Sequence, residues 1–410
     1  MIDFQPYWAI PFGLILLSIA LFPLLAAHFW EKNKNKLLVM ALLAGPVLFL
    51  LIFNSPHLLE HSILEYISFV ILLASLFIIS GGIHLSGDLK ATPSINTLFL
   101  GVGALLASLI GTTGASMLLI RPLLQTNSER HHTKHLPLFF IFIVSNLGGL
   151  LTPIGDPPLF LGFLRGVPFF WTLKLFPIWA ISISYLLLLF FIVDKIAYQK
   201  ETVRDVVMDN LQVAPLKITG SINFLLLIGV IGSVFLPTPY RELVMVLLAL
   251  LSYRLTPKDV HERNSFNFGP IIEVAILFAG IFIAMVPALQ ILKIHGPEFG
   301  IIKPAHFYWL SGALSSFLDN APTYLTFFSM AGSLPFDGTR IAGVPEIILE
   351  AISCGAVMMG ANSYIGNGPN FMVKAIADST GLTCPSFFGY IFYAAIILFP
   401  LYGLITFLFF

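Results

Sequence analysis

The chain has 410 residues, of which 57% are hydrophobic and 10% charged, with 21 basic and 21 acidic side chains and a mean hydropathy of +0.92. A soluble domain carries about 25% charged residues, and a chain with less than half of that lacks the polar groups to cover a water-facing surface. The composition excludes a soluble globular protein and makes membrane lipid the surrounding. The zero net charge argues against nucleic acid as a partner. Thirty-two Gly and 27 Pro fit the same picture, because both are more frequent in transmembrane helices than in soluble ones.

The first apolar run, near 7–29, follows Asp3 with no basic residue before it. It exceeds the usual 7 to 15 residue core of a signal peptide and reads as a retained membrane helix. A helix needs roughly 20 apolar residues to cross the hydrocarbon core. Runs of that kind continue near 37–54, 64–82, 137–163, 169–193, 221–236, 240–253, 270–292, 346–376 and 386–409, which makes ten spans. Two further stretches, near 96–120 and 306–331, are interrupted by Gly, Pro, Thr, Asn and Asp and read as re-entrant hairpins. The expected fold class is therefore an all-α polytopic membrane protein.

Cytoplasmic loops carry an excess of Lys and Arg. With the N-terminus outside and each hairpin returning to its own side, fifteen basic residues from Lys32 to Lys374 fall in the cytoplasm. Six fall outside: Arg165, Lys174, Arg241, Lys293, Lys303 and Arg340. Both termini are then extracytoplasmic, and the longest polar connection, about 194–220, is cytoplasmic.

That connection divides two similar halves. Glu65 opens EYISFVILLASLFIISGG, and Glu273, 208 residues later, opens EVAILFAGIFIAMVPAL. Further on, TPIGDPP (Thr152 to Pro158) has a counterpart in SYIGNGPN (Ser363 to Asn370), with Gly155 and Gly366 separated by 211 residues. An odd number of spans per half inverts the second copy. The expected organisation is a first inverted repeat over 1–194, a cytoplasmic linker over 195–220 and a second inverted repeat over 221–410. Each repeat has one hairpin (96–120, 306–331) and one broken helix (137–163, 346–376). Inverted repeats with paired broken helices mark secondary transporters, with the site near the midplane.

Four polar clusters recur in order: Gly111 to Ser116, Ser145 to Pro158, Leu318 to Thr323, and Gly360 to Asn370. Gly and Pro breaks at membrane depth are tolerated where the freed backbone lines a cavity or faces protein. Within them Asp156 and Asp319 stand in otherwise apolar segments, where an aspartate costs about 2.5–3.5 kcal/mol on insertion scales. Asp156 also suits an N-cap, with Pro157 at the first helical position. For Asp319 the neighbouring Asn320 is an equally good cap, so capping explains that carboxylate less well. Desolvation favours a protonated acid, whereas a helix N-terminus or nearby cation favours the carboxylate. A group balanced between them holds a proton or a small cation, not both, as a cation/proton exchanger requires. Oxygen ligands for a hard cation such as sodium are available from Thr112, Thr113, Asn146, Thr152, Asn320, Thr323, Asn362, Ser363 and Asn367. For any single Thr or Ser the alternative is a bond back to its own helix.

Other polar residues have plainer readings. Glu65 and Glu273 sit at helix starts, where a carboxylate suits the dipole, with an ion path or interface as the alternative. The run His131 to His135 reads as a solvated loop, with pH sensing as the alternative. Trp8, Trp30, Trp171, Trp179 and Trp309 fall mostly near span ends, as aromatic belts do. The two cysteines, Cys354 and Cys384, make neither a disulfide framework nor a metal site. No cofactor is expected, and no nucleophile–base pair with catalytic spacing lies inside the spans, so the chain does not read as an enzyme.

The motifs SNLGGLLTPIGDPP (145–158), LDNAP (318–322), EVAILFAGIF (273–282) and GTTGASMLLIRP (111–122) resemble the ion transporter superfamily, especially NhaD-type sodium/proton antiporters and the related citrate-transporter families. The resemblance covers nearly the whole chain. It implies two inverted five-helix repeats, a homodimer with elevator-like movement and a bacterial inner membrane. It also implies cation or proton handling at Asp156, Asp319, Asn320 and Thr152. Carboxylate carriers of the superfamily use Ser-Asn-Thr triplets at the hairpin tips. Here the tips are Thr-Thr-Gly-Ala-Ser and Asp-Asn-Ala-Pro-Thr, and an acidic tip repels a dicarboxylate unless protonated or cation-paired. The expected function is sodium/proton antiport, with sodium bound transiently by Asp156 and Asp319. The alternative is a sodium- or proton-coupled carrier of citrate-like acids or another anion.

Overall fold

The computed structural model describes residues 4–335, 338–382 and 384–410, so Asp3 lies outside it. The first half begins with α1 (Ile10–Leu25), the single turn α2 (Ala27–Trp30), α3 (Asn33–Asn54) and α4 (Pro56–Gly81), followed by strand β1 (His84–Asp88). A hairpin of α5 (Pro93–Ile110) and α6 (Thr112–Thr126) comes next. The first broken element is α7 (His135–Ile143), a 3-10 turn at Leu147–Leu151 and α8 (Pro157–Leu164); α9 (Phe176–Tyr198) closes this half. The connection holds α10 (Val203–Gln212) and strand β2 (Ala214–Thr219). Then follow α11 (Ile222–Ser233), α12 (Tyr240–Leu255), the short α13 (Lys258–Arg263) and α14 (Gly269–His295). A second hairpin, α15 (Pro304–Ser315) and α16 (Asn320–Ala331), precedes the second broken element. That element is α17 (Glu346–Met358), a 3-10 turn at Met359–Asn362 and α18 (Gly368–Ser379), and α19 (Phe387–Phe409) ends the chain.

Proline placement explains many of these starts. Helices α4, α5, α8, α14, α15 and α18 carry Pro in the first turn, where its missing N–H costs nothing. Helix α5 stops at Gly111, whose φ of +82° is open to glycine and strained for other residues.

Among the described residues, seven helical stretches are long and apolar enough to cross a membrane: 6–23, 33–54, 56–81, 93–110, 169–198, 269–299 and 387–409. Large apolar side chains point outward along them, Phe407 being 86% exposed. The chain is an all-α polytopic membrane protein. Six of the seven coincide with expected spans, and the seventh is the first arm of the first hairpin. The other four expected spans are shorter or interrupted. Those at 137–163 and 346–376 unwind at their Gly and Pro residues, and α11 and α12 have 12 and 16 residues.

Helices α4 and α14 pack antiparallel through the centre. Ser62 Oγ donates to the Phe282 carbonyl at 2.5 Å, Tyr66 Oη to that of Ala275 at 2.9 Å, and the Phe69 ring lies 4.7 Å from that of Phe278. Beyond the end of α4, β1 pairs antiparallel with β2. The polar connection is thus folded back onto the bundle by a helix and a strand.

At this same end Arg130 and Asp194 form a buried pair at 2.6 Å, joined by Asn96 and His135. The His131 and His132 amides donate to Glu201, so the loop expected to be solvated is tied down. Burial pushes the Glu201 carboxyl up, but these amides and the His132 ring hold it below its ordinary range. Burial pushes the Asp88 carboxyl up to about 6, helped by Glu129 and Asp209.

Candidate functional site

The tip of each hairpin is anchored to the broken element that follows it. In the first half the Thr112 amide donates to the Gly155 carbonyl at 2.8 Å, Ser108 Oγ to Gly148 O at 2.5 Å, and the Thr152 hydroxyl to the Ser108 carbonyl. In the second half Ser315 Oγ donates to Ala356 O at 2.6 Å, and Ser363 Oγ to Ser316 O at 2.5 Å. Glycine is needed at the breaks. A Cβ on Gly155 would lie 2.2 Å from the Gly149 carbonyl oxygen, and one on Gly366 would lie 2.5 Å from that of Gly360.

Three tips and turns converge on Asp156, which is buried at the start of α8. Its Oδ1 accepts from Thr112 Oγ1 at 2.8 Å and from Asn367 Nδ2 at 3.3 Å, and its Oδ2 accepts from Asn320 Nδ2 at 2.5 Å. Asn367 also donates to Asn146 Oδ1 at 3.2 Å and to the Ser145 carbonyl at 3.1 Å. Asn146 Nδ2 in turn reaches Asn370 Oδ1 at 2.7 Å. Residues from both hairpins and both broken elements therefore meet around one carboxylate.

The two aspartates divide the roles differently from the sequence expectation. Asp156 occupies an N-cap position but its side chain makes no capping bond; its oxygens face the other half of the chain. Asp319 is the true cap of α16, with Oδ1 accepting from the Ala321 amide at 3.1 Å. Asn320, the alternative cap, points at Asp156 instead. Asp319 still lines the same cavity, of about 100 Å³, with Gly111, Thr112, Thr113, Asp156 and Asn367. Leu72, Leu76 and Phe278 close its apolar side.

Several other expected ligands bond within the elements that carry them or to neighbouring ones. Thr323 bonds back to the Asp319 carbonyl, and Thr152 and Ser363 fasten broken element to hairpin. Asn362 donates to Ser316 Oγ at 2.9 Å and accepts from Tyr402 Oη at 3.1 Å. Sequence reading missed Asn370, although it closes the Gly360 to Asn370 cluster. It also missed Ser108, inside α5, and did not single out Ser116 or Ser145, although each stands at an end of one of the polar clusters.

Chemically, all donors to Asp156 are neutral, and among the described residues no Lys, Arg or His lines the cavity. The buried Asn320 Oδ1 has no hydrogen-bond partner there, which leaves one oxygen free beside the carboxylate. A carboxylate so placed can be neutralised by a proton or by a small cation.

Over residues 2–410 the chain matches the family described as Putative citrate transport. Comparison with curated proteins gives no match. The matched region includes both hairpins, both broken elements and the helices that carry them, and together they point to an integral membrane transporter rather than an enzyme. The chain belongs to the Putative citrate transport family.

Proposed function

We propose that this protein is a secondary active transporter that exchanges sodium for protons by alternating access, with Asp156 as the group that both species share. The observation that carries this reading is the buried carboxylate held, among the described residues, by the neutral Thr112, Asn320 and Asn367. An isolated buried charge is costly, so transit of the site requires a proton or a cation. Asp319 stands in the same cavity as a second acid, and Asn320 Oδ1 and Thr112 Oγ1 supply neutral oxygens of the kind sodium accepts. Neither ion is a resident cofactor; both are cargo.

Two inverted repeats, 1–194 and 221–410 around a 195–220 linker, account for the matching bonds of Thr152 and Ser363, which span 44 and 47 residues, and for the antiparallel packing of α4 on α14. We place the protein as a homodimer in a bacterial inner membrane with both termini outside, on the charge distribution and the resemblance described above.

The second reading is a sodium- or proton-coupled carrier of citrate-like acids, which the family description favours. The cavity of about 100 Å³ is smaller than the about 300–1,000 Å³ of pockets for organic ligands. That suits a small ion better than a tricarboxylate in this conformation. Reconstitution into liposomes with an internal pH dye separates the two. Sodium or lithium pulses should drive proton movement; absence of that movement together with accumulation of labelled citrate would replace the first reading by the second.

A further inference from the structure

Helix α10, in the connection between the halves, packs with its polar side inward. Asp205 in its first turn lies 3.7 Å from the His131 ring, and Asp209, one turn on, is 4% exposed and accepts from the Ala91 amide at 3.0 Å. The opposite side carries Val203, Val207 and Leu211, which are 81%, 50% and 74% exposed. Residues four apart share one face of a helix, so an apolar stripe points away from the bundle. A helix at a water-facing surface does the reverse. Strand β2 extends the feature, because Leu216 and Ile218 alternate onto one face and are both exposed.

Depth and charge say what covers this stripe. Ala91, which Asp209 holds, lies two residues before Pro93, the first residue of the α5 span, and the span that contains α9 ends at Tyr198, five residues before Val203. The arm therefore sits level with the ends of membrane helices. Leu188, Ile192 and Ile196 form an exposed stripe of the same spacing along α9 and lead into it. Charge is sorted in the same sense. Between 195 and 219 the acids turn inward, Glu201 accepting from the His131 and His132 amides beside Asp205 and Asp209. The bases Lys195, Lys200, Arg204 and Lys217 are all exposed. Exposed cations beside an exposed apolar stripe are the mark of a segment that lies in a membrane interface.

We propose that α10 and β2 form an amphipathic arm that docks on anionic phospholipid, with the apolar stripe at the boundary of headgroups and acyl chains and Lys200, Arg204 and Lys217 on the headgroup phosphates. Lys and Arg side chains suit this place, since their stems lie along apolar surface while the charge reaches the polar layer. A second copy of the chain fits less well. A two-fold contact sets a patch against itself, which brings the same cations together. The inward face of the arm is bonded to Ala91, ahead of α5, and to the His131–His132 loop, beyond α6. Lipid docked on one face thus bears on the open end of the first hairpin through the other. The inference goes beyond the ion-exchange reading and does not depend on what crosses at Asp156.

The test attaches an environment-sensitive fluorophore to Leu211→Cys in the full-length protein, with Cys384→Ser removing the partly exposed native thiol while the buried Cys354 stays. Single copies are reconstituted in nanodiscs of phosphatidylcholine alone or mixed with phosphatidylglycerol. In the mixed discs the emission should shift to the blue and be quenched by lipids spin-labelled near the headgroup. Val203→Cys, eight residues earlier on the same stripe, should respond alike. Lys200→Gln, Arg204→Gln and Lys217→Gln combined should raise the phosphatidylglycerol fraction at half-maximal quenching several-fold. A label that stays water-like at both positions in both lipid mixtures overturns the proposal, as does quenching that ignores phosphatidylglycerol or the three charge variants. Quenching that appears only when two copies share a disc also overturns it, by assigning the stripe to a second copy of the chain.

Discussion

Asn367 donates to Asp156 across 3.3 Å, and the two residues stand 211 positions apart at the starts of helices α18 and α8. Their backbones match, with φ and ψ of −144° and 144° at Asp156 and −152° and 140° at Asn367. One position of this matched pair carries a carboxylate and the other an amide. Two buried carboxylates at that distance would repel, and one would be driven to take up a proton. The amide lets a single charge sit between the halves with a donor beside it.

Moving that charge tests its role. Asp156→Asn should remove sodium binding and sodium-driven proton movement, since a hydrogen bond to a charged group is worth about 1.5–3 kcal/mol and three of them change partner at once. The double variant Asp156→Asn/Asn367→Asp keeps one carboxylate in the pair and should recover part of the radioactive-sodium binding. A double variant no better than the single one would mean that the position of the charge, and not only its presence, is fixed by Thr112 and Asn320.

Steric limits at the breaks give a stability prediction. Gly155→Ala and Gly366→Ala place a Cβ against backbone oxygens that cannot rotate away. Each should cost more than the about 1–3 kcal/mol typical of overpacking and reduce the yield of monodisperse protein. Gly368→Ala, with nothing within 4 Å of the added carbon, should purify and melt like wild type.

Much of this was readable in the chain. The Gly/Pro clusters mark both broken elements because backbone approaches there too closely for a Cβ, as at Gly155 and Gly366, and Asp156 stands out because charge is rare in a span. What the residues alone did not reveal is which side chain points where. Asp319 and Asn320 are adjacent, and only the direction of the α15–α16 tip sends the first to its own helix and the second to Asp156. The contact between Asn96 and Asp194 spans 98 positions, and that between Arg130 and Asp194 spans 64, so no local pattern announces them. The β1–β2 pair was equally hidden, because HLSGD is short with a single apolar residue and the alternation of Ala214, Leu216 and Ile218 in APLKIT is brief and lies within a polar connection.

Asp88 gives a pH dependence away from the membrane. Its carboxyl holds a proton to about 6 in the folded protein against an ordinary value of 3.8. Between those values the native state binds more protons than the unfolded chain, so this contribution to stability is complete below the lower value and lost as pH rises through the upper one. Asp88→Asn should therefore melt higher than wild type above pH about 6 and lose that advantage near pH about 4. Melting curves that differ by the same amount across the range would refute the assignment.

The Arg130–Asp194 pair has side chains 2% and 0% exposed. Removing Asp194 leaves the buried Arg130 with Glu201, 3.7 Å from its Nε, as its carboxylate partner, and breaking a buried pair costs about 3–5 kcal/mol. Asp194→Asn should lower the melting temperature sharply, while a joint replacement with Arg130→Met should regain part of the loss. An additive double variant would show that the two charges do not depend on each other.

The chain of amides from Asn370 through Asn146 and Asn367 to Asp156 has a mechanical meaning. Together with the Thr152 and Ser363 hydroxyls, it stitches both hairpins and both broken elements into one piece. Any displacement that spares these bonds carries every oxygen of the site along unchanged, so an ion bound there need not be handed from one set of ligands to another. On the alternating-access reading proposed above, the work of moving falls on greasy surfaces such as Leu72, Leu76 and Phe278 and on the Glu65–Arg165 pair that ties α4 to the end of α8.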